Sequence, residues 1–156
     1  MVIIMNGSKQ VQLYTDGSCI YNPGPGGWAA ILRYKDTEKE LVGGEKDTTN
    51  NRMELTAVIE GLKALKEPCR VTLCTDSTYV ADSIGKGWVY SWQLKGWERN
   101  GKPVPNSDLW QELLPLLKKH ELTLNWVKGH AGHPENERCD ALCVKQSKAI
   151  SGTDTE

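Results

Sequence analysis

Residues 11–17 read Val-Gln-Leu-Tyr-Thr-Asp-Gly, and residues 71–76 read Val-Thr-Leu-Cys-Thr-Asp. In each run Val, Leu and Thr alternate with other residues and the pattern stops at an aspartate. That is the signature of a strand with one face on a core. The fold turns on what lies between the two runs. The first leads into Gly17 to Gly27, which holds two prolines and four glycines and predicts a turn. Trp28 to Tyr34 then alternates again as a second strand, and Lys39 to Glu45 as a weaker third. Short connections predict that these three form an antiparallel meander. From Asn50 to Lys66 the period changes, with Leu55, Val58, Ile59, Leu62 and Leu65 on one helical face. Pro68 breaks that helix. A helix between the third strand and the run ending at Asp76 implies a parallel crossover.

The rest of the chain repeats the crossover. A short helical stretch after Asp76 is interrupted by Gly85 and Gly87, and a Trp-rich segment runs from Trp88 to Lys102. Ser107 is placed to cap a helix carrying Leu109, Leu113, Leu116 and Leu117, and Pro115 inside it predicts a kink. Leu122, Leu124 and Trp126 mark a fifth strand. Pro134 suits the first turn of a last helix, with Cys139, Leu142 and Cys143 on one side. The expected architecture is α/β: a five-stranded mixed sheet, three antiparallel strands then two parallel, with helices on both faces. It forms one domain over residues 1–156, with flexible ends at 1–8 and 149–156.

Bulk properties exclude several classes. Hydrophobic residues are 38% of the 156, enough for a packed core without disulfides. No apolar run is long enough to span a membrane, and the N-terminus lacks the regions of a secretory signal. Five cysteines without framework spacing fit a reducing compartment, so a cytoplasmic protein is expected. Cys139 and Cys143, four apart and near His130 and His133, invite a zinc site; buried free thiols are the plainer reading. Lys and Arg number 19 against 20 Asp and Glu, for a net charge of −1. Nucleic-acid binders are often strongly basic, so any such function must rest on local charge.

Four acids stand where chemistry could gather. Asp16 and Asp76 end strands, the usual location of sites in such sheets. Glu54 borders the apolar stripe of the first long helix, and Asp140 flanks that of the last. Each alone has a plain explanation: a turn cap, a solvated helix residue, or for Asp140 an ion pair with Arg138 or Lys128. Together at one edge they would repel unless cations lay between them. Oxygen ligands favour magnesium or manganese over zinc. Two such ions roughly 4 Å apart can activate water and stabilise the leaving oxygen of a phosphodiester.

The motifs Thr15-Asp16-Gly17-Ser18-Cys19, Asn50-Asn51-Arg52-Met53-Glu54-Leu55 and Thr75-Asp76-Ser77, with the fifteen residues from Trp126 to Asp140, closely resemble the signatures of bacterial type 1 ribonuclease H. The resemblance runs from about Val11 to about Val144. It implies a ribonuclease H-like fold and an endonuclease that hydrolyses the RNA strand of RNA–DNA hybrids, leaving 5′-phosphate and 3′-hydroxyl ends. It implies that Asp16, Glu54, Asp76 and Asp140 hold two Mg2+ ions, with Mn2+ as a substitute, and that His130 assists proton transfer or product release. It implies substrate contacts from Asn22, Thr49, Asn50 and Asn51, and from a basic protrusion over Gly85 to Lys102 that includes Trp88, Trp92, Lys95 and Lys102. A monomer is expected.

Two departures from the family pattern stand out: Thr78 where a glutamine is frequent, and Gln93-Leu94 where basic residues are. Two rival readings remain. Another nuclease of the same fold, of integrase or resolvase type, would lack the motif from Gly129 to Asp140. A non-catalytic hybrid-binding module would have lost one of the four acids.

Overall fold

The computed structural model describes residues 9–128 and 133–152. Its main sheet has five strands: β1 (Gln10–Cys19), β2 (Gly24–Tyr34), β3 (Thr37–Thr48), β4 (Arg70–Thr75) and β7 (Glu121–Trp126), in the order β3-β2-β1-β4-β7. β1, β2 and β3 are antiparallel neighbours, whereas β4 runs parallel to β1 and β7 parallel to β4. The helices are α1 (Asn50–Lys63), α2 (Thr78–Gly85), α3 (Trp88–Leu94), α4 (Ser107–Lys119) and α5 (Pro134–Ser151). Between α3 and α4 lies a small antiparallel ladder of β5 (Glu98–Arg99) and β6 (Lys102–Pro103).

Side-chain alternation divides the core into two layers. Val11, Leu13, Ala30, Leu32, Val71 and Leu73 pack with α1 and with Trp110, Leu113, Leu114 and Leu117 of α4. Tyr14, Ala29, Ile31 and Cys74 form a second cluster with Cys139 and Cys143 of α5. Helices therefore cover both faces of the sheet.

Several boundaries differ from the sequence expectation. The region read as a turn from Gly17 to Gly27 is mostly strand, because its glycines serve close packing rather than bending. A Cβ at Gly17 would overlap the backbone of Met53 and Glu54, and one at Gly27 would overlap the carbonyl of Cys143. α1 ends at Lys63, not Lys66.

α4 starts behind Asn106, not Ser107. Asn106 takes the left-handed conformation (φ 64°) that asparagine tolerates, and it makes no side-chain cap bond. Pro115 does not end α4. It is exposed, as is Gln111, whose carbonyl loses the Pro115 N–H and can turn to water. α5 continues through 149–151, where the sequence predicts a flexible end, and stops at Gly152 in the left-handed region (φ 80°).

Candidate active site

The sheet places two acids side by side. β1 and β4 are parallel and pair as far as Tyr14 with Cys74, so Asp16 and Asp76 each lie two residues beyond the same rung. Asp16 is buried, at 6% exposure, and its Oδ1 accepts the Gly17 N–H at 2.9 Å. Gly17 lets α1 lie directly on β1, and this contact brings Glu54 against Asp16. From the opposite face, Gly27 lets α5 approach β2 and deliver Asp140. Ligand oxygens of Asp16, Glu54 and Asp76 lie within 4.8 Å of one another, as do single ligand atoms of Asp16, Asp140 and Cys143. Asp16 is common to both groups.

The acids raise one another's proton affinity. Burial first, and the Asp76 carboxylate next, push Asp16 from 3.8 up to about 7, although the Gly17 N–H opposes the shift. Burial, then Asp16 and Asp76, hold Glu54 well above the ordinary carboxylate range. Glu54 Oε1 is buried without a hydrogen-bond partner among the described residues. An orphaned oxygen in a set of repelling carboxylates fits a hard divalent cation, which would relieve both costs.

The two thiols of α5 near the acids each donate to a backbone carbonyl. Cys139 donates to the Tyr14 carbonyl (3.4 Å) and Cys143 to the Asp140 carbonyl (3.2 Å). Burial, then Asp16, lifts Cys139 to about 12. Burial and the same carboxylates hold Cys143 far above the thiol range. Buried free thiols, the plainer of the two sequence readings, describe both.

The start of α5 is fastened away from the acids. Arg138 pairs with Glu38 (3.0 Å) and Glu40 (3.3 Å) of β3, not with Asp140. Arg33 of β2 joins Glu38 and also Glu135 (2.8 Å). Sequence reading missed a further neighbour: Trp126, half-exposed at the end of β7, donates its indole N–H to the Asp76 carbonyl at 3.2 Å. Its position opposite Thr75 in the β4–β7 register was the available clue.

Beside the acids, the polar residues at the start of α1 form a chain. Asn50 Oδ1 accepts the Cys19 N–H at 2.7 Å, and Asn22 Oδ1 accepts the Asn50 N–H at 3.1 Å. Thr49, rather than Asn50 or Asn51, is the N-cap and accepts the Arg52 N–H at 3.2 Å. Asn51 is exposed next to them. Inward use of the two amide oxygens leaves their NH2 groups to donate outward.

The protrusion stands apart from this group. Trp88 is 44% exposed with Lys86 over its ring at 5.5 Å, whereas Trp92 packs edge-on against the buried Trp110 at 6.0 Å. The two tryptophans thus divide between surface and core. Lys95 and Lys102 are exposed, and Leu94 is 88% exposed. Asn100 and Gly101, both at positive φ, join Arg99 to its cross-strand partner Lys102. That Asn-Gly pair was an unread hairpin signal. His130 falls in 129–132, outside the described residues.

Among known proteins, the profile of the RNase H family matches residues 8–148. A ribonuclease H of Oleidesulfovibrio alaskensis is 62% identical over 135 residues, covering 86% of this chain and 88% of the relative. The crystal structure of LC9-RNase H1, a type 1 RNase H with the type 2 active-site motif, superposes with a TM-score of 0.83 at 34% identity, covering 92% of this chain and 74% of the other. That of LC11-RNase H1 in complex with an RNA/DNA hybrid shares the fold at a TM-score of 0.69 and 20% identity, over 90% of this chain and 99% of the other.

Proposed function

This chain belongs to the ribonuclease H family, as a type 1 endoribonuclease, and from that premise we propose how its residues cut the RNA strand of an RNA–DNA hybrid. The observation that carries the reading is that Asp16 gathers Glu54 and Asp76 in one group and Asp140 in another, with Asp16 raised to about 7 and Glu54 Oε1 unpartnered among the described residues. These four hold the metal, Mg2+ with Mn2+ as a substitute. Two such ions, when bound, supply an activated water and charge stabilisation for the departing 3′ oxygen. The products are a 5′-phosphate and a 3′-hydroxyl.

The protein's own contribution is placement. Asp16 and Glu54 give up their extra proton affinity when a cation enters, so the folded site favours the charged ligand set it needs. Asn22, Asn50 and Asn51 direct amide donors at the minor groove, where 2′-hydroxyls mark RNA. Thr49 spends an oxygen lone pair on the α1 cap and keeps its own O–H to donate to a phosphate. His130 carries a proton to or from the reacting oxygens. Lys95 and Lys102 attract the DNA strand, with Trp88 and Trp92 supporting the surface that presents them. Arg99 opposite Lys102 is a like-charge cross-strand pair, unfavourable alone and suited to a phosphate. The chain acts as one domain and as a monomer. Among the described residues no helix is long and apolar enough to cross a membrane.

The test is cleavage of an end-labelled hybrid with Mg2+ and then with excess chelator, with RNA–RNA and DNA–DNA duplexes as controls. The reading requires cleavage of the RNA strand alone, abolished by chelator. Equal cutting of both hybrid strands, or cutting that survives chelation, would reject it.

A further inference from the structure

We propose that Asp16, Asp140 and Cys143 form a binding site for a thiophilic divalent cation, Zn2+ or Cd2+, overlapping the all-carboxylate site but different in ligand chemistry. One ligand atom from each of the three lies within 4.8 Å of the others. A tetrahedral ion with a sulfur ligand near 2.3 Å and oxygens near 2.0–2.2 Å needs ligand separations of about 3.5 Å, so the side chains must close by roughly 1 Å. Asp140 and Cys143 stand three residues apart on α5, on one helical face. Asp16 meets them from β1, and water would complete a fourth position.

A second observation points to a cation against Asp16, the ligand that the two groups share. Glu54 Oε1 is buried and unpartnered among the described residues, and its carboxylate stands against Asp16. Cys143 is fully buried, so its sulfur is shielded from bulk solvent. Binding breaks the S–H bond, forms a sulfur–metal bond and releases one proton to solvent, with no change of oxidation state. Cys139 is not part of the site, since among the described residues its sulfur joins no such group of ligand atoms within 4.8 Å. A soft ion held here occupies Asp16 and Asp140 and excludes Mg2+. That inhibitory consequence rests on the nuclease reading above; the binding itself does not.

Cd2+ titrated into the metal-free full chain tests it, read by thiolate-to-cadmium charge-transfer absorbance in the ultraviolet. The expected result is a band saturating at one equivalent, lost in Cys143→Ser, kept in Cys139→Ser and Cys19→Ser, and shifted to higher Cd2+ by excess Mg2+. Asp140→Asn, which leaves the buried thiols in place, should weaken Cd2+ binding on the order of tenfold or more. Circular dichroism checks that each variant is folded. No band in the wild type, a band retained in folded Cys143→Ser, or unchanged affinity in Asp140→Asn overturns the site. Hybrid cleavage with Mg2+ alone, on the same preparation, separates the two readings. Cleavage without the band removes only this site, and the band without cleavage removes only the nuclease reading.

Discussion

Asp16 bears opposite demands as a residue: it must be charged to hold a cation, and it is buried among other acids that favour its proton. Between its ordinary value of 3.8 and about 7, the folded protein retains a proton that the unfolded chain has lost. Stability from this group therefore falls as pH rises through that window and levels off above it. Asp16→Asn has no such loss. In metal-free buffer its advantage over wild type should be small near pH 4 and full by about pH 8. A tenfold difference in proton affinity between the folded and unfolded chain is worth about 1.4 kcal/mol, so the gain reaches a few kcal/mol, or a Tm increase of roughly 5–10 °C. Thermal melts across a pH series with chelator check this, and a pH-independent difference would contradict it. The same variant should lose nearly all turnover. His130→Ala is expected to differ in kind, slowing turnover by about 10²–10⁴-fold while Mg2+ and hybrid affinities stay close to wild type. Equilibrium binding beside single-turnover rates distinguishes that from a binding role.

Elements were legible where their signals are local. β1, β4 and α1 announced themselves by period, so Asp16, Asp76 and Glu54 could be placed at their ends and edges. What escaped depends on partners distant in sequence. Gly17 and Gly27 look like turn residues until α1 and α5 are laid against them. Arg138 looks like a partner for the nearby Asp140 until β3 is seen beside it.

The joint between α4 and β4 was equally hidden. Buried His120, at the end of α4, accepts the Cys69 N–H on Nδ1 at 3.0 Å. Burial first, and Lys119 second, lower its pKa below the ordinary 6.5. As pH falls through 6.5 the unfolded chain gains a proton that the folded one resists, so stability is lost on the acid side. His120→Asn keeps an acceptor and should remove that component, seen as a flatter stability profile from pH 7 to 5. For the protrusion, Lys95→Ala with Lys102→Ala should raise the Michaelis constant and leave turnover at saturation nearly unchanged. The slope of log affinity against log salt should flatten by up to about 2, and an unchanged slope would remove the protrusion from the binding surface.

At the scale of the whole molecule, a cation adds stability by mass action, about 2.7 kcal/mol at a hundredfold excess over its dissociation constant. Calorimetry should show Tm rising with Mg2+ in the wild type and not in Asp16→Asn. Where that stabilisation acts follows from the two-layered core. Glu54 rides on the helix of one layer, Asp140 on the helix of the other, and Asp16 lies in the sheet between. The proposed catalytic centre is thus a seam, and it behaves like a logical conjunction: neither half of the protein, folded alone, would contain it. Detachment of α5 would take Asp140 out of the proposed centre and Cys139 and Cys143 out of the core beneath it. On that reading, cleavage reports that α5 has joined the sheet.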